Sequence, residues 1–249
     1  MTNKILPYLA ILSLTWASFP SAIGENGVVS SSSSHASDVG IEVLKNGGNA
    51  IDAAIAVGFA LAVTFPNAGN LGGGGFMVIR LASGEVTTID FREMAPMLSD
   101  RDMFLDDSSN VIRGMSLYSA LATGVPGTVA GFGYAHESYG TKPWDYLIDP
   151  SIKLASEGFK LSTRDADYLN SAHRFLSRDT ESAKIFASKR HHRVGDRFIQ
   201  RDLGYTLKRI SIDGYQEFYR GKTSKMIDRC MKRTGGIVTL EDLKNYNPV

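Results

Sequence analysis

From Ala50 to Thr64 the chain is apolar almost all round, without the wet face that a surface helix keeps. The pattern predicts a helix over 50–64 buried between layers, with Asn49 as its N-cap and Asp52 three residues on. The stretch is short for a membrane span and contains Gly58, which favours the buried reading. A helix is predicted just ahead, over 37–46, where Asp38 favours the first turn and Gly47-Gly48 stops it. The period then changes. Residues 76–82 and 85–91 are β-rich runs joined by the turn signal Ser83-Gly84, which predicts a hairpin. In its second strand Thr88, Asp90 and Arg92 share one face, while Ile89 and Phe91 share the other. That is a half-buried strand with a polar edge where a ligand can lie.

Pro126 and Gly127 break the next element, and Thr128 is placed to cap a helix that Gly140 ends. From Pro150 onward the chain reads as mainly helical: 151–157 stopped by Gly158, 163–176, 202–212, 215–219 around Gly214, 221–231 and 239–246. Thr239 and Asp242 have capping-box spacing.

Composition narrows the function classes. The 249 residues are 43% hydrophobic and 21% charged, as in a globular protein of one or two domains with a sizeable core. Lys plus Arg of 27 against Asp plus Glu of 26 argues for neither nucleic acid nor an anionic membrane as partner. The densest basic run, Lys189-Arg190-His191-His192-Arg193, is short and lacks interleaved aromatics, so it is placed on a solvated loop. Lys4, an apolar run over 5–17 and the small residues Ser21, Ala22 and Gly24 have signal-peptide anatomy, with cleavage expected between Ala22 and Glu25. That apolar run is too short for a stable membrane anchor.

Metal and nucleophile motifs are not found. Cys230 is the one cysteine, so neither an internal disulfide nor a cysteine-based zinc site is expected. His35, His136, His173, His191 and His192 are scattered; His136-Glu137 starts like a zinc-protease helix, but Gly140 stands where the second histidine belongs. The serines 30–34 have no Gly-x-Ser-x-Gly context and read as a strand end or loop.

The segment Ala68-Gly69-Asn70-Leu71-Gly72-Gly73-Gly74-Gly75-Phe76 is the most distinctive of the chain. It closes without the Lys-Ser/Thr of a phosphate loop, and its order of helix, glycines, strand reverses the dinucleotide fingerprint. Four glycines let one backbone approach another backbone or a ligand closely. Arg92, at a strand end, suits a carboxylate clamp; from position alone an internal ion pair with Asp90 or Glu93 stands beside that reading.

Taken together these residues resemble the γ-glutamyltransferases, also called γ-glutamyl transpeptidases, of the N-terminal-nucleophile hydrolase superfamily. The landmarks are Lys45-Asn46-Gly47-Gly48-Asn49-Ala50-Ile51-Asp52-Ala53-Ala54, the run 69–76, Asp90-Phe91-Arg92-Glu93-Met94-Ala95-Pro96, Gly124-Val125-Pro126-Gly127 and Glu217-Phe218-Tyr219-Arg220-Gly221. Gly235-Gly236-Ile237 and Asp242-Leu243 follow in family order, so the resemblance covers residues 25–249.

The resemblance implies an α+β fold, part of a four-layer αββα sandwich whose central strands come from two subunits, so that this chain is expected to hold it incompletely. It implies an exported enzyme, periplasmic if the host is Gram-negative, that takes the γ-glutamyl group of glutathione or another γ-glutamyl compound to water or an amino acid. A precursor cuts itself into large and small subunits, and the new N-terminal threonine attacks with its own amine as base. Arg92 matches the family arginine that binds the glutamyl α-carboxylate, a task that suits a planar fork better than lysine. The small subunit is the implied partner; no metal or organic cofactor is implied.

The family nucleophile lies in a Thr-Thr-His-type segment downstream of the helix ending near Tyr246, beyond these 249 residues. Thr64 ends a helix, Thr87 and Thr88 lie in a strand, and Thr128 and Thr239 are caps, so no catalytic residue is carried over. Exposed sheet edges are expected to make these residues aggregation-prone alone and without transferase activity. An exported non-catalytic protein that binds γ-glutamyl ligands or a partner stands as the alternative.

Overall fold

The computed structural model describes residues 23–249; the leader expected over residues 1–24 lies outside them apart from its last two positions. In chain order the elements are α1 (Ser34–Lys45), α2 (Ala50–Thr64), β1 (Phe76–Arg80), β2 (Val86–Asp90), α3 (Met115–Tyr118) and α4 (Thr128–Tyr139). They continue with α5 (Trp144–Glu157), β3 (Phe159–Lys160), α6 (Thr163–Leu176), α7 (Thr180–Phe186) and β4 (Arg197–Phe198). Last come α8 (Arg201–Asp213), α9 (Gln216–Arg220), α10 (Lys222–Thr234) and α11 (Leu240–Asn245).

α2 is the hub, covered by other elements over most of its surface, with Ala54 exposed and Val57, Gly58 and Leu61 half-buried along one open groove. α1, α4 and α5 pack on it, and α8 packs on the far side of α5. Ile55, Ala56, Phe59 and Val63 are buried, and the Phe59 ring meets Phe132 and Trp144 edge-on at 5.1 and 5.5 Å. The N-terminus of α2 carries the expected capping box: Asn49 Oδ1 accepts from the amides of Ile51 and Asp52, and Asp52 Oδ2 accepts from the Asn49 amide. Asp52 also accepts from the Thr141 amide at 2.9 Å, the Thr141 hydroxyl at 2.5 Å and the Lys142 amide at 3.2 Å. One buried carboxylate therefore ties α2 to the α4–α5 turn. Burial alone pushes its pKa up, but these hydrogen bonds outweigh that and hold it below the usual value.

β1 and β2 form the expected antiparallel hairpin, with Phe76 opposite Asp90 and Arg80 opposite Val86. Each strand is two residues shorter than the sequence pattern; at the turn Leu81 pairs with Glu85 and Gly84 takes φ +91°, while Phe91 falls just past the end of β2. Ile89 and Phe91 are buried while Thr88 and Asp90 face outward, as the alternation predicts. The outer face is open and mixed, with Phe76 63%, Val78 74% and Val86 60% exposed beside the exposed Arg80, Thr88 and Asp90. Val249 lies along β2, its amide donating to Asp90 O at 2.8 Å and its carbonyl accepting from Asp90 N at 2.6 Å. The second strand pair, β3 with β4, pins the end of α5 to the loop before α8.

Four expectations are corrected. Pro150 does not open its helix: it sits inside α5, which runs from Trp144. A proline in a helix interior costs about 3 kcal/mol, but Leu147, Ile148, Ser151 and Ala155 are buried on both sides of it and the Trp144 indole donates to Ile210 O at 2.9 Å. Tertiary packing outweighs the local break. Thr128 begins α4 but does not cap it; its hydroxyl donates to Asn70 Oδ1 at 2.8 Å, and Gly127 holds the cap position. His192 leaves the solvated basic loop and is buried, with Nε2 3.1 Å from Phe186 O and its ring against Phe198. The serines are loop as expected up to Ser33, where Ser31 bonds Ser37 at 2.8 Å, but Ser34 opens α1, so the helix starts three residues ahead of the expected 37 and Asp38 falls outside its first turn.

Candidate substrate site at the end of the hairpin

The four glycines earn their place by bringing three backbones together. Gly75 and Phe91 exchange main-chain hydrogen bonds at 3.0 and 3.3 Å, while Gly73 O accepts from the amides of Gly127 at 2.7 Å and Thr128 at 3.0 Å. Asn70 Oδ1 holds the run from behind, accepting from Gly73 N and from the Thr128 hydroxyl, each at 2.8 Å. A Cβ on Gly74 would stand 2.7 Å from Glu93 N and 2.8 Å from Arg92 Cα. The run is a close-approach strand pressed against residues 91–93.

Arg92 follows β2 and is exposed. Its amide donates to Asp90 Oδ1 at 2.9 Å, its carbonyl accepts from the Tyr246 hydroxyl at 2.8 Å, and its guanidinium carbon lies 5.8 Å from the centre of the Phe76 ring. Among the described residues the guanidinium makes no ion pair with Asp90, Glu93 or any other carboxylate. The Asp90 carboxylate is engaged instead by the backbone two residues on. The main chain is thus fixed at both its amide and its carbonyl while the charged fork is left open, an arrangement chemically able to receive an anion.

The other family landmarks brace this point. The Tyr219 hydroxyl donates to Pro126 O and accepts from the Ala130 amide, both at 3.0 Å, and its ring stacks on Tyr246 at 5.8 Å and 12°. Burial pushes the Tyr219 hydroxyl pKa far above its usual value. Tyr246 is pushed up to about 12, first by burial and then by the carboxylates of Asp90 and Glu93, so it is a firm donor at neutral pH. Thr239 and Asp242 form their capping box, and Asp242 Oδ1 also accepts from the Met97 amide at 2.7 Å. Burial raises the Asp242 pKa, yet the hydrogen bonds from Thr239 and Met97 hold it below the usual value. In the same landmark as Tyr219, the buried Glu217 accepts from Thr223 N and Oγ1 and lies 3.3 Å from Arg209. α11 therefore holds the segment 92–97 at two places, through Tyr246 and Asp242.

Sequence reasoning finds Arg92, the glycines and the caps, but Tyr246 only as a helix end. Nothing local marks it, because its partner lies 154 positions away. His136 is structural, with Nε2 2.8 Å from Lys142 O. Among the described residues no group of three or more His, Cys, Asp or Glu is placed to hold a metal, and no helix is long and apolar enough to cross a membrane.

The family model for gamma-glutamyltranspeptidase matches residues 36–249. The chain belongs to the gamma-glutamyltranspeptidase family. It is 50% identical over 224 residues to the glutathione hydrolase proenzyme of Pseudomonas sp. (strain A14), which covers 89% of this chain and 39% of that relative. Against the glutathione hydrolase proenzyme of Escherichia coli (strain K12) it is 46% identical over 227 residues, 90% of this chain and 39% of the relative. The chain thus spans about two fifths of the length of these curated gamma-glutamyltranspeptidase relatives. Among solved structures, the gamma-glutamyltranspeptidase of Helicobacter pylori superposes with a TM-score of 0.89 at 46% identity, covering 92% of this chain and 66% of that one. The Pseudomonas nitroreducens enzyme, complexed with L-DON, gives 0.85 at 38% identity over 91% and 67%. The 52% helix and 8% strand of the described residues match these gamma-glutamyltranspeptidase structures, and the expected α+β class holds.

Proposed function

We propose that this chain is the N-terminal part of the large subunit of a γ-glutamyltransferase and glutathione hydrolase. In this reading Arg92 binds the α-carboxylate of a γ-glutamyl donor such as glutathione, and the acyl group passes to water or an amino acid. The threonine nucleophile is supplied by a small subunit that self-cleavage of a precursor creates, in keeping with the relatives' name of proenzyme. That subunit is the partner for the open hairpin face on which Phe76, Val78 and Val86 are exposed, beside a groove of about 460 Å³ lined by α2 and the hairpin. Residues 1–24 direct the precursor out of the cytoplasm, to the periplasm in a Gram-negative host.

The observation that carries the reading is the unpaired, exposed guanidinium on a doubly fixed backbone at the landmark Asp90-Phe91-Arg92-Glu93. The chemistry asked of Arg92 is recognition and orientation. A bidentate fork fixes the α-carboxylate, and with it the direction in which the side-chain amide extends toward the nucleophile. No observation favours the non-catalytic alternative.

The test is the Arg92→Gln variant of the precursor assayed with a γ-glutamyl anilide. Two charge-assisted hydrogen bonds are worth about 1.5 kcal/mol each at the low end, so KM rises by at least about 100-fold. A donor carrying an α-carboxamide in place of the carboxylate loses no further affinity in the variant. An unchanged KM for the ordinary donor would overturn the assignment.

A further inference from the structure

A charged fork is only as well aimed as the backbone it hangs from. The guanidinium of Arg92 is reached through a flexible stem, so its resting position depends on the main chain at one end and on whatever the head rests against at the other. Both ends have a partner from a different element. At the main chain the Tyr246 hydroxyl donates to Arg92 O at 2.8 Å, across 154 positions of sequence. At the head the Phe76 ring lies 5.8 Å from the guanidinium carbon. Phe76 stands opposite Asp90 in the hairpin register, so the residue that engages the Arg92 amide and the ring beneath its head form one cross-strand pair.

We propose that Tyr246 and Phe76 are positioning residues for Arg92, Tyr246 locking its carbonyl and Phe76 carrying its guanidinium, so that the fork is held ready for a carboxylate before substrate arrives. This rests on the assignment of Arg92 as the α-carboxylate clamp.

Several features fit a positioning role better than a merely structural one. Tyr246 is stacked face to face on Tyr219, which is itself anchored on Pro126 and Ala130, so its hydroxyl points from a rigid base. Removing only the hydroxyl leaves that stack in place and frees only the Arg92 carbonyl. Phe76 is largely exposed and contributes little to the core; its ring is an open platform, which an arginine head covers by cation–π attraction. The platform also keeps the head off Asp90 and Glu93, whose carboxylates would otherwise compete with the substrate for it. Pre-organisation of this kind lowers the ordering cost at binding, so its loss shows first in KM.

The experiment uses the full precursor after maturation, in four forms: wild type, Tyr246→Phe, Phe76→Leu and Arg92→Lys, with the two positioning variants also made on the Arg92→Lys background. KM and kcat are read with a γ-glutamyl anilide and with its α-carboxamide analogue. A lost neutral hydrogen bond corresponds to about a 5-fold effect. Tyr246→Phe and Phe76→Leu are each expected to raise KM for the carboxylate donor by about 5-fold with kcat within about 2-fold. Neither is expected to affect the carboxamide donor, and neither to add to Arg92→Lys. Equal effects on both donors, or full additivity with Arg92→Lys, would overturn the proposal while leaving the Arg92 assignment intact. An unchanged KM in Arg92→Lys and Arg92→Gln alike would overturn the assignment itself, and the proposal with it. Should Tyr246→Phe fail to mature, Phe76→Leu carries the same test, unchanged kinetics with the carboxamide donor showing that the small subunit still docks on that face.

Discussion

Adding one methyl group at Gly74 is the sharpest probe of how the glycine run supports Arg92. The ideal Cβ stands 2.7 Å from Glu93 N and 2.8 Å from Arg92 Cα, and both of these are backbone atoms that no rotamer change can move aside. The strand must therefore part from residues 91–93, weakening the two hydrogen bonds between Gly75 and Phe91 at 3.0 and 3.3 Å. At about 1 kcal/mol each they account for about 2 kcal/mol, within the 1–3 kcal/mol typical of overpacking. Gly72, two positions away, is an internal control, since a Cβ there meets nothing within 4 Å. Gly74→Ala should lose about 2 kcal/mol in urea unfolding followed by circular dichroism, or about 4–8 °C in Tm, whereas Gly72→Ala should be neutral or slightly stabilising. The same variant should raise KM for a γ-glutamyl donor, because Arg92 moves with the strand. Equal stability of the two variants would refute the close-approach role of the run.

Further expectations concern the buried caps and the chain's own activity. Asp52→Asn gives up a carboxylate that accepts four hydrogen bonds and should cost about 2–3 kcal/mol in urea unfolding. Asp52 and Asp242 both have pKa values lowered on folding, so the stability they contribute is present above about pH 4, their unfolded value, and is lost as pH falls through the folded value. Acid unfolding of the Asp52→Asn/Asp242→Asn double variant should accordingly show a flatter limb below about pH 4 than wild type; parallel limbs would contradict the assignment. Tyr219→Phe strips partners from Pro126 O and the Ala130 amide and should cost about 1–2 kcal/mol, read as a drop in urea midpoint without a change in slope. The 249-residue chain purified by itself should release no glutamate from glutathione, and measurable release would show that its own residues supply a nucleophile.

The parts of the fold that sequence makes legible are those where a local rule and the tertiary environment agree. The bounds of α2 match to the residue because the run is apolar almost throughout from Ala50 to Thr64 and a capping box fixes its start. The hairpin follows from alternation plus Ser83-Gly84, and α11 from Thr239 and Asp242. Local rules fail where distant packing decides. Pro150 reads as a break until Leu147, Ile148 and Ala155 are seen buried around it. Thr128 reads as a cap until Asn70, across the core, takes its hydroxyl. His192 sits in a basic run that looks solvated, yet the pocket formed by Phe186, Asn170 and Phe198 withdraws it. α7 is missed although Asp179 caps it, because two turns are too short to show a helical period, even though Ile185 and Phe186 pack against the core. At the site the same division holds. Arg92 and its landmarks are visible in one dimension, and the aspartate two residues before it carries a local Asx signal. The Tyr246 contact has no local signal at all, since only the fold brings α11 to the end of the hairpin.

The central claim is that these residues are the front of a γ-glutamyltransferase. The most direct test is to sequence the gene past the codon for Val249 and translate it in all three forward frames, then assay the product that joins both parts. The account predicts a Thr-Thr-His-type segment followed by a serine- and glycine-rich stretch, and a joined product that cuts itself and releases glutamate from glutathione. Translation that yields no such segment in any frame would contradict it.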